Sequence, residues 1–362
     1  MWFDLEIRQR LILTFVWLVI LLHGLLTGLG IIPIIIEYHL GKRTDGHEYV
    51  PETTLRIRRK PYPEGSPLLT MFTTLKDRKC RDQIHNSTMT NWATLMPAML
   101  PVLYVPRVEW NASRWKNRAR DLGWRVRKAE KLKRKIPILN DMFRQTLRQS
   151  KTPFVGFANA DILFDETIIQ TLQYLIRVID VDNWTILITG KRRNINITQS
   201  DVGSGGNLTR ISFLARETDF FHGKAQDYFI ISRRGLPWEE IPDFVIGRNG
   251  YDNWLLVMAQ KWNAIAIDGS LTIGALHQSG VDGFQSGFTT NDNDTIGLNW
   301  DLVMGFNYHR GRTECLPYYT RYRCTDHQDI TESWKKRNDI VLLQRPLYPH
   351  PDERYQGLGP KC

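Results

Sequence analysis

From residue 67 onward the chain switches repeatedly between short apolar, β-branched runs and longer stretches with helical spacing. Residues 67–75 read as a first strand. Residues 86–100, with Trp92, Leu95 and Met99 on one side, predict a helix, and 101–105 a second strand. A helix over 115–122, a third strand over 124–126 and an exposed basic stretch over 129–135 follow. Residues 138–147 place Leu139, Met142, Phe143 and Leu147 on one helical face. After a strand that ends at Phe157 comes a helix over 166–179, with Asp165 as its N-cap, and a strand over 185–189. This alternation predicts an α/β fold whose central sheet is mostly parallel, doubly wound and flanked by helices. The second half predicts a strand over 227–232, a loop over 233–242, a glycine-containing turn over 247–253, a helix over 254–262, and short strands over 264–267 and 271–276. Residues 201–207 are rich in Gly and Ser but lack the Lys-Ser/Thr ending of a P-loop, and predict a surface loop.

The strand ending at Phe157 runs into Ala158-Asn159-Ala160-Asp161, and a second apolar patch, 162–164, comes next. The pattern brings a buried strand to a small polar turn and delivers Asp161 to the strand's C-terminal edge. In open α/β sheets, ligands bind in the crevice outside those edges. A carboxylate there suits a hard divalent cation, and such a cation in turn holds a diphosphate. An ordinary strand-end turn also favours Asn and Asp, so the turn alone does not decide between the two readings.

Residues 11–36 contain no charged side chain, and 26 such positions more than span a hydrocarbon core of ~30 Å. A cleaved signal peptide has an apolar region of only about 7–15 residues, so an uncleaved signal anchor is predicted. The organisation read from the sequence is a cytoplasmic tail over 1–10, a transmembrane anchor over 11–36, a polar stem over 37–66, a domain over 67–314, and a Pro- and charge-rich extension over 315–362 packed on it. Net charge is +10, all of it beyond Ile36, which predicts an anionic partner. Zinc spacing, RNA-recognition signatures and basic helical repeats are lacking, so nucleic acid is not expected. Sequons at Asn86, Asn111, Asn183, Asn196, Asn207 and Asn293 point to a glycosylating lumen. The four cysteines agree: Cys315 with Cys324 closes a small loop, and Cys80 with Cys362 is a long-range pair open to the remaining two.

Further motifs lie at Asp227-Tyr-Phe229, at Ile241-Pro-Asp-Phe-Val-Ile-Gly-Arg-Asn-Gly-Tyr-Asp-Asn-Trp254 and at His277-Gln278. With Asn159-Ala-Asp-Ile162, Met71-Phe-Thr-Thr74 and Gly190-Lys-Arg192, this order resembles the GT-A fold glycosyltransferases, in particular the nucleotide-diphospho-sugar transferase-like family. The resemblance covers residues 67–278, and the 14-residue match ending at Trp254 is its most specific part.

The resemblance implies a GT-A-like (Rossmann-like) domain that moves a sugar from a nucleotide-sugar donor to a glycan, protein or lipid acceptor, with Mn2+ or Mg2+ as cofactor. Together with the apolar segment over 11–36 and the sequons, it predicts a single-pass type II protein of the Golgi or endoplasmic reticulum, with the domain luminal and the membrane contacted through the N-terminal helix. Asp161 becomes a metal ligand, and His277 a further metal ligand or a contact to the diphosphate. Asn159, Lys191, Arg192, Arg193 and Arg248 become donor-binding residues, the cations offsetting charge on the leaving diphosphate. Asp252 is the first choice for the base that takes the acceptor proton and Asp227 the second. Trp254 is either a sugar-stacking ring or a packed core residue. Two positions depart from the family: Asn159 stands where the Asp-X-Asp motif has its first acid, and Ser279-Gly280 stands where relatives carry Asn-His. They keep a second reading open, a catalytically silent module that holds a nucleotide or glycan. A third is an anchored structural protein whose carboxylates only cap turns.

Overall fold

The computed structural model describes residues 62–63, 65–76, 79–196, 205–280, 295, 297–303, 306, 310–323 and 340–345. All belong to one of the two units into which the chain divides, residues 47–362. The apolar segment over 11–36, the sequon at Asn293, and Cys324 and Cys362 lie outside the described residues. Among the described residues no helix is long and apolar enough to cross a membrane.

The sheet is built on β1 (Leu69–Thr74), which pairs in parallel with β2 (Met99–Pro106) on one side and β6 (Phe154–Ala158) on the other. β3 (Arg125–Ala129) continues it beyond β2. On the far side of β6 comes β10 (Tyr228–Ser232), antiparallel, followed by β8 (Ile186–Thr189) and β11 (Ile265–Asp268). β13 (Tyr318–Tyr322) and β14 (Ile340–Gln344) complete the order 3-2-1-6-10-8-11-13-14. The predicted α/β class and mostly parallel central sheet are both present, and the segment beyond Cys315 joins that sheet directly.

Successive side chains of these strands enter two different cores, as the period of two requires. Met71, Phe154, Ile188 and Ile230 point into one. Phe72, Val155, Leu187, Phe229 and Ile231 point into the other. Sheets buried on both faces read as continuous apolar runs, which is why the strands were legible. The first core is closed by α1 (Asp82–Thr94), whose Trp92 stacks on Trp124 at 5.2 Å, by α2 (Trp115–Asp121) and by α4 (Thr167–Val178). The second is closed by α3 (Leu139–Gln149), through Leu139, Met142 and Phe143, and by α6 (Tyr251–Lys261). A small side sheet holds β7 (Ile162–Phe164), β12 (Ala275–Ser279) and β9 (Arg193–Asn196), with α5 (Leu208–Glu217) against it.

Several boundaries differ from expectation. The helix expected over 86–100 starts at Asp82 and stops at Thr94, because Met99 and Leu100 pair with Leu69 and Thr70 in the sheet. The stretch over 129–135 is not uniformly exposed: Ala129 is buried at the end of β3. Leu132–Lys133 and Ile136–Pro137 form a small hairpin (β4 and β5) through Arg134 and Lys135, both at positive φ. The strand expected over 271–276 begins only at Ala275, since residues 269–273 are tied in a turn by Thr272 N–H and Ile273 N–H to the Gly269 carbonyl. The helix expected from 254 begins at Tyr251, after Gly250 at φ 103°, which carries Asp252 into its first turn.

Candidate active site

Strand direction brings the acidic motifs together. β6 ends at Ala158, so the turn through Asn159 and Asp161 lies at the C-terminal edge of the parallel strands. β10 runs the opposite way, with Tyr228 opposite Ala158, so its N-terminal end lies at that same edge. Asp227 therefore meets Asn159, whose backbone N–H donates to the Asp227 carbonyl at 2.8 Å. β7 and β12 pair antiparallel with His277 opposite Ile162, which sets His277 beside Asp161. Gln278 N–H donates to the Asp161 carbonyl at 2.9 Å and fixes this register.

Asp161 is 6% exposed. Its Oδ2 accepts from Arg81 Nη2 at 3.1 Å and lies 3.5 Å from His277 Nε2. Its Oδ1 is buried with no hydrogen-bond partner among the described residues. Burial pushes the carboxyl up, but His277, Arg81 and Arg192 outweigh it and hold the group well below the usual carboxylate range. Asp161 is thus an anion at any physiological pH, with one oxygen left for a ligand.

Asp227 is equally buried, and both its oxygens are taken: Asn159 Nδ2 donates to Oδ1 at 2.7 Å and Arg192 Nη1 to Oδ2 at 2.5 Å. Asp252 is the opposite case. Its Oδ1 is buried and has no partner among the described residues. Burial raises its pKa to about 7, with help from the Asp227 charge, against backbone N–H groups of the surrounding turn that pull it down. Asp252 also sits in the first turn of α6, where the helix dipole favours a carboxylate, and burial still wins. Tyr251, next to Asp252 in the chain, is buried and feels all three acids. Burial drives its phenol well above the usual value, and Asp252, Asp227 and Asp161 all push the same way.

The cations have definite partners. Lys191 Nζ is 2.5 Å from Glu314 Oε1 and Arg192 is on Asp227. The Arg193 guanidinium lies 3.8 Å from the centroid of the Phe220 ring, and burial lowers its pKa to about 10, which leaves it charged near neutrality. Arg248 donates to Thr295 Oγ1 from Nε at 3.0 Å and from Nη2 at 2.6 Å. Trp254 packs edge-on against Phe244 and Trp262 and is 9% exposed, the environment of a core ring rather than of a sugar platform.

Two contributors are absent from the sequence reading. Arg81 enters from the segment after β1, and a basic run past a strand's C-terminal end was the available signal. Glu314 comes from a stretch assigned to the domain's end, and nothing local marked it. A cavity of 740 Å³ between α1 and α2, lined by Asp82, Gln83, Ser87, Arg114, Trp115 and Arg118 among others, contains none of the three acids.

Among the described residues no three His, Cys, Asp or Glu side chains form a metal cage. Asp161 and His277 still fit a hard cation, because Asp161 Oδ1 is buried and unsatisfied beside an imidazole. Mg2+-type sites commonly use one or two protein ligands and fill the remaining positions with water and phosphate oxygens.

No protein-family model matches the chain, and no curated protein does. Solved structures do. A glucosyl-3-phosphoglycerate synthase from Mycobacterium tuberculosis matches at 12% identity over 64% of this chain and 76% of its own, with a TM-score of 0.31. A mannosyltransferase from Pyrobaculum calidifontis, solved with GDP-Man and Mn2+, matches at 12% identity over 63% of this chain and 61% of its own, with a TM-score of 0.32. Both are glycosyltransferases. A likeness at this level carries no functional argument of its own.

Proposed function

We propose that this chain is a glycosyltransferase that moves a sugar from a nucleotide-sugar donor to an acceptor hydroxyl. The observation that carries the reading is the division of labour between two carboxylates at one sheet edge. Asp161 is held ionised among cations with an oxygen to spare, while Asp252 is pushed up to about 7. Environments that drive neighbouring acids apart mark distinct roles.

In this reading Asp252 is the base. As the acceptor oxygen forms its bond to the anomeric carbon, its proton passes to the Asp252 carboxylate. The bond to the diphosphate breaks, and its electron pair leaves with the nucleoside diphosphate. A base poised near neutrality suits that transfer. Asp227 is spoken for by Asn159 and Arg192, so it positions those groups and raises the proton affinity of Asp252. Asp161 and His277 would hold a divalent cation, which supplies Lewis-acid stabilisation of the leaving diphosphate.

The apolar segment over 11–36 and the sequons support a single-pass type II protein of the Golgi or endoplasmic reticulum with this domain in the lumen. Asn86, Asn111, Asn183 and Asn207 are exposed, as acceptors of N-glycans must be. One observation favours the second reading, a silent binding module: Asn159 replaces an acid and is committed to Asp227. Binding and turnover of a panel of nucleotide sugars by the full-length chain in detergent, with and without Mn2+, separates the two. Binding of no donor sinks the transferase reading, and binding without transfer to any acceptor or water favours the silent module.

A further inference from the structure

Helices α1 and α2 both cover the first core, and the 740 Å³ cavity lies between them. The α1 residues on its wall, Gln83, Asn86, Ser87 and Thr90, fall at i, i+3, i+4 and i+7, the spacing of one helical stripe. A stripe that faces a neighbouring helix is ordinarily apolar, but this one carries amides and hydroxyls. Arg118 reaches across from α2 and donates from Nε to Asn86 Oδ1 at 3.2 Å. Its Nη atoms, the Gln83 amide and the Thr90 hydroxyl have no partner among the described residues. Asp82 and Arg114 add a carboxylate and a guanidinium that pair with each other at 2.5 and 2.6 Å.

We propose that this cavity is the seat of an N-glycan carried by Asn86. The inference rests on the luminal placement proposed above. Asn86-Ser87-Thr88 is a sequon, and its acceptor side chain lines the cavity. Because Arg118 takes the oxygen end of the Asn86 amide, Nδ2, the atom that carries an N-glycan, stays free among the described residues. Asn183 differs, since its Nδ2 already donates to Asp180 Oδ2 at 2.7 Å. The new bond joins Asn86 Nδ2 to the anomeric carbon of the glycan's first N-acetylglucosamine, and one amide proton leaves with the lipid diphosphate that carried the glycan. Ser87 and Thr88 are buried, and Thr88 Oγ1 donates to the Ala160 carbonyl at 2.9 Å, so this transfer precedes folding. In the folded protein Gln83, Thr90 and Arg118 Nη offer hydrogen bonds to sugar hydroxyl and acetamido groups, and Trp115 adds apolar surface. The Asp82–Arg114 pair cancels its own charge, which suits a neutral sugar.

The test uses the full-length chain expressed in a eukaryotic secretory host. Mass spectrometry of its peptides reads the occupancy of each sequon, and a peptide-N-glycosidase applied to the native and the unfolded protein reads how accessible each glycan is. Asn86 should be occupied. Its glycan should leave the native protein about tenfold more slowly than those at Asn111 and Asn207, the protection that about one net hydrogen bond gives. The difference should vanish on unfolding. Arg118→Ala, a change at an exposed side chain, should keep Asn86 occupied and bring its release up to the rate of the others. An empty Asn86 beside occupied Asn111 or Asn207, a native release rate equal to theirs, or slow release that Arg118→Ala leaves unchanged overturns the proposal and leaves the luminal placement standing. An empty Asn86 in a protein that binds free chitobiose at this cavity also overturns it, since the occupant is then a separate glycan. Glycans at none of the sequons remove the luminal placement and the proposal together.

Discussion

Asn159 donates its Nδ2–H to Asp227 Oδ1 at 2.7 Å. The side chain at the first position of the acidic turn therefore works as a donor to a buried carboxylate, not as a cation ligand. An acid there would have to face Asp227 across the same distance. Asn159→Asp should thus weaken the protein rather than complete a metal motif. The lost hydrogen bond and the like-charge contact together should cost about 2–4 kcal/mol, read as a lowered Tm. Mn2+ affinity measured in parallel should not rise above wild type; a stable variant with tighter Mn2+ binding would show that Asn159 is a weakened ligand after all.

The other oxygen of Asp227 takes Arg192 at 2.5 Å, with both side chains more than nine-tenths buried. Breaking a buried pair from one side leaves an uncompensated charge, and Arg192→Met should cost about 3–5 kcal/mol. Removing the charge on both sides should recover part of that loss, so the Arg192→Met, Asp227→Asn double variant is expected to melt above the single Arg192→Met variant. Equal melting temperatures for those two proteins would place Asp227 in contact with other cations.

How much of this was readable from the chain depends on whether a residue's role is local. The strand at residues 154–158 announced itself because both its faces are buried, and Asp161 followed from where that strand stops. Asp227 was found as a strand-end acid, but its preference for Asn159 and Arg192 is a consequence of β10 running antiparallel to β6, which no local pattern encodes. Asp252 was placed in a turn because Gly247 and Gly250 dominate its neighbourhood; the positive φ of Gly250 instead starts the helix one turn earlier. Arg81 and Glu314 were missed since each acts on a partner far away in sequence, Asp161 and Lys191.

Trp254 separates a packed ring from a sugar-binding one. Its neighbours Phe244 and Trp262 meet it at centroid distances of 5.1 and 5.8 Å inside the second core. Trp254→Ala should therefore cost about 3–5 kcal/mol of stability, as truncation of a buried aromatic ring does. Trp254→Phe should regain most of that while leaving acceptor KM unchanged. A stable Trp254→Phe protein with a greatly raised acceptor KM would put the ring at the sugar instead.

Asp252 makes a prediction whose sign can be worked out. Its folded pKa of about 7 lies above the ordinary aspartate value near 3.9, so the native state holds a proton that the unfolded chain releases between those two pH values. Stability from this group is therefore fully present below about pH 4, falls as pH rises through that window, and levels off above about 7. Catalysis runs the other way, because only the ionised carboxylate accepts a proton. The transfer rate should rise with pH, with its half-maximum near 7. Asp252→Asn should abolish transfer, keep donor binding, and melt higher than wild type at pH 8, where the wild-type protein carries the buried charge. At pH 5 that stability difference should shrink. A variant with full transferase activity would exclude Asp252 as the base. A variant less stable than wild type at pH 8 would instead mean that the carboxylate is held in place by partners that favour its charge.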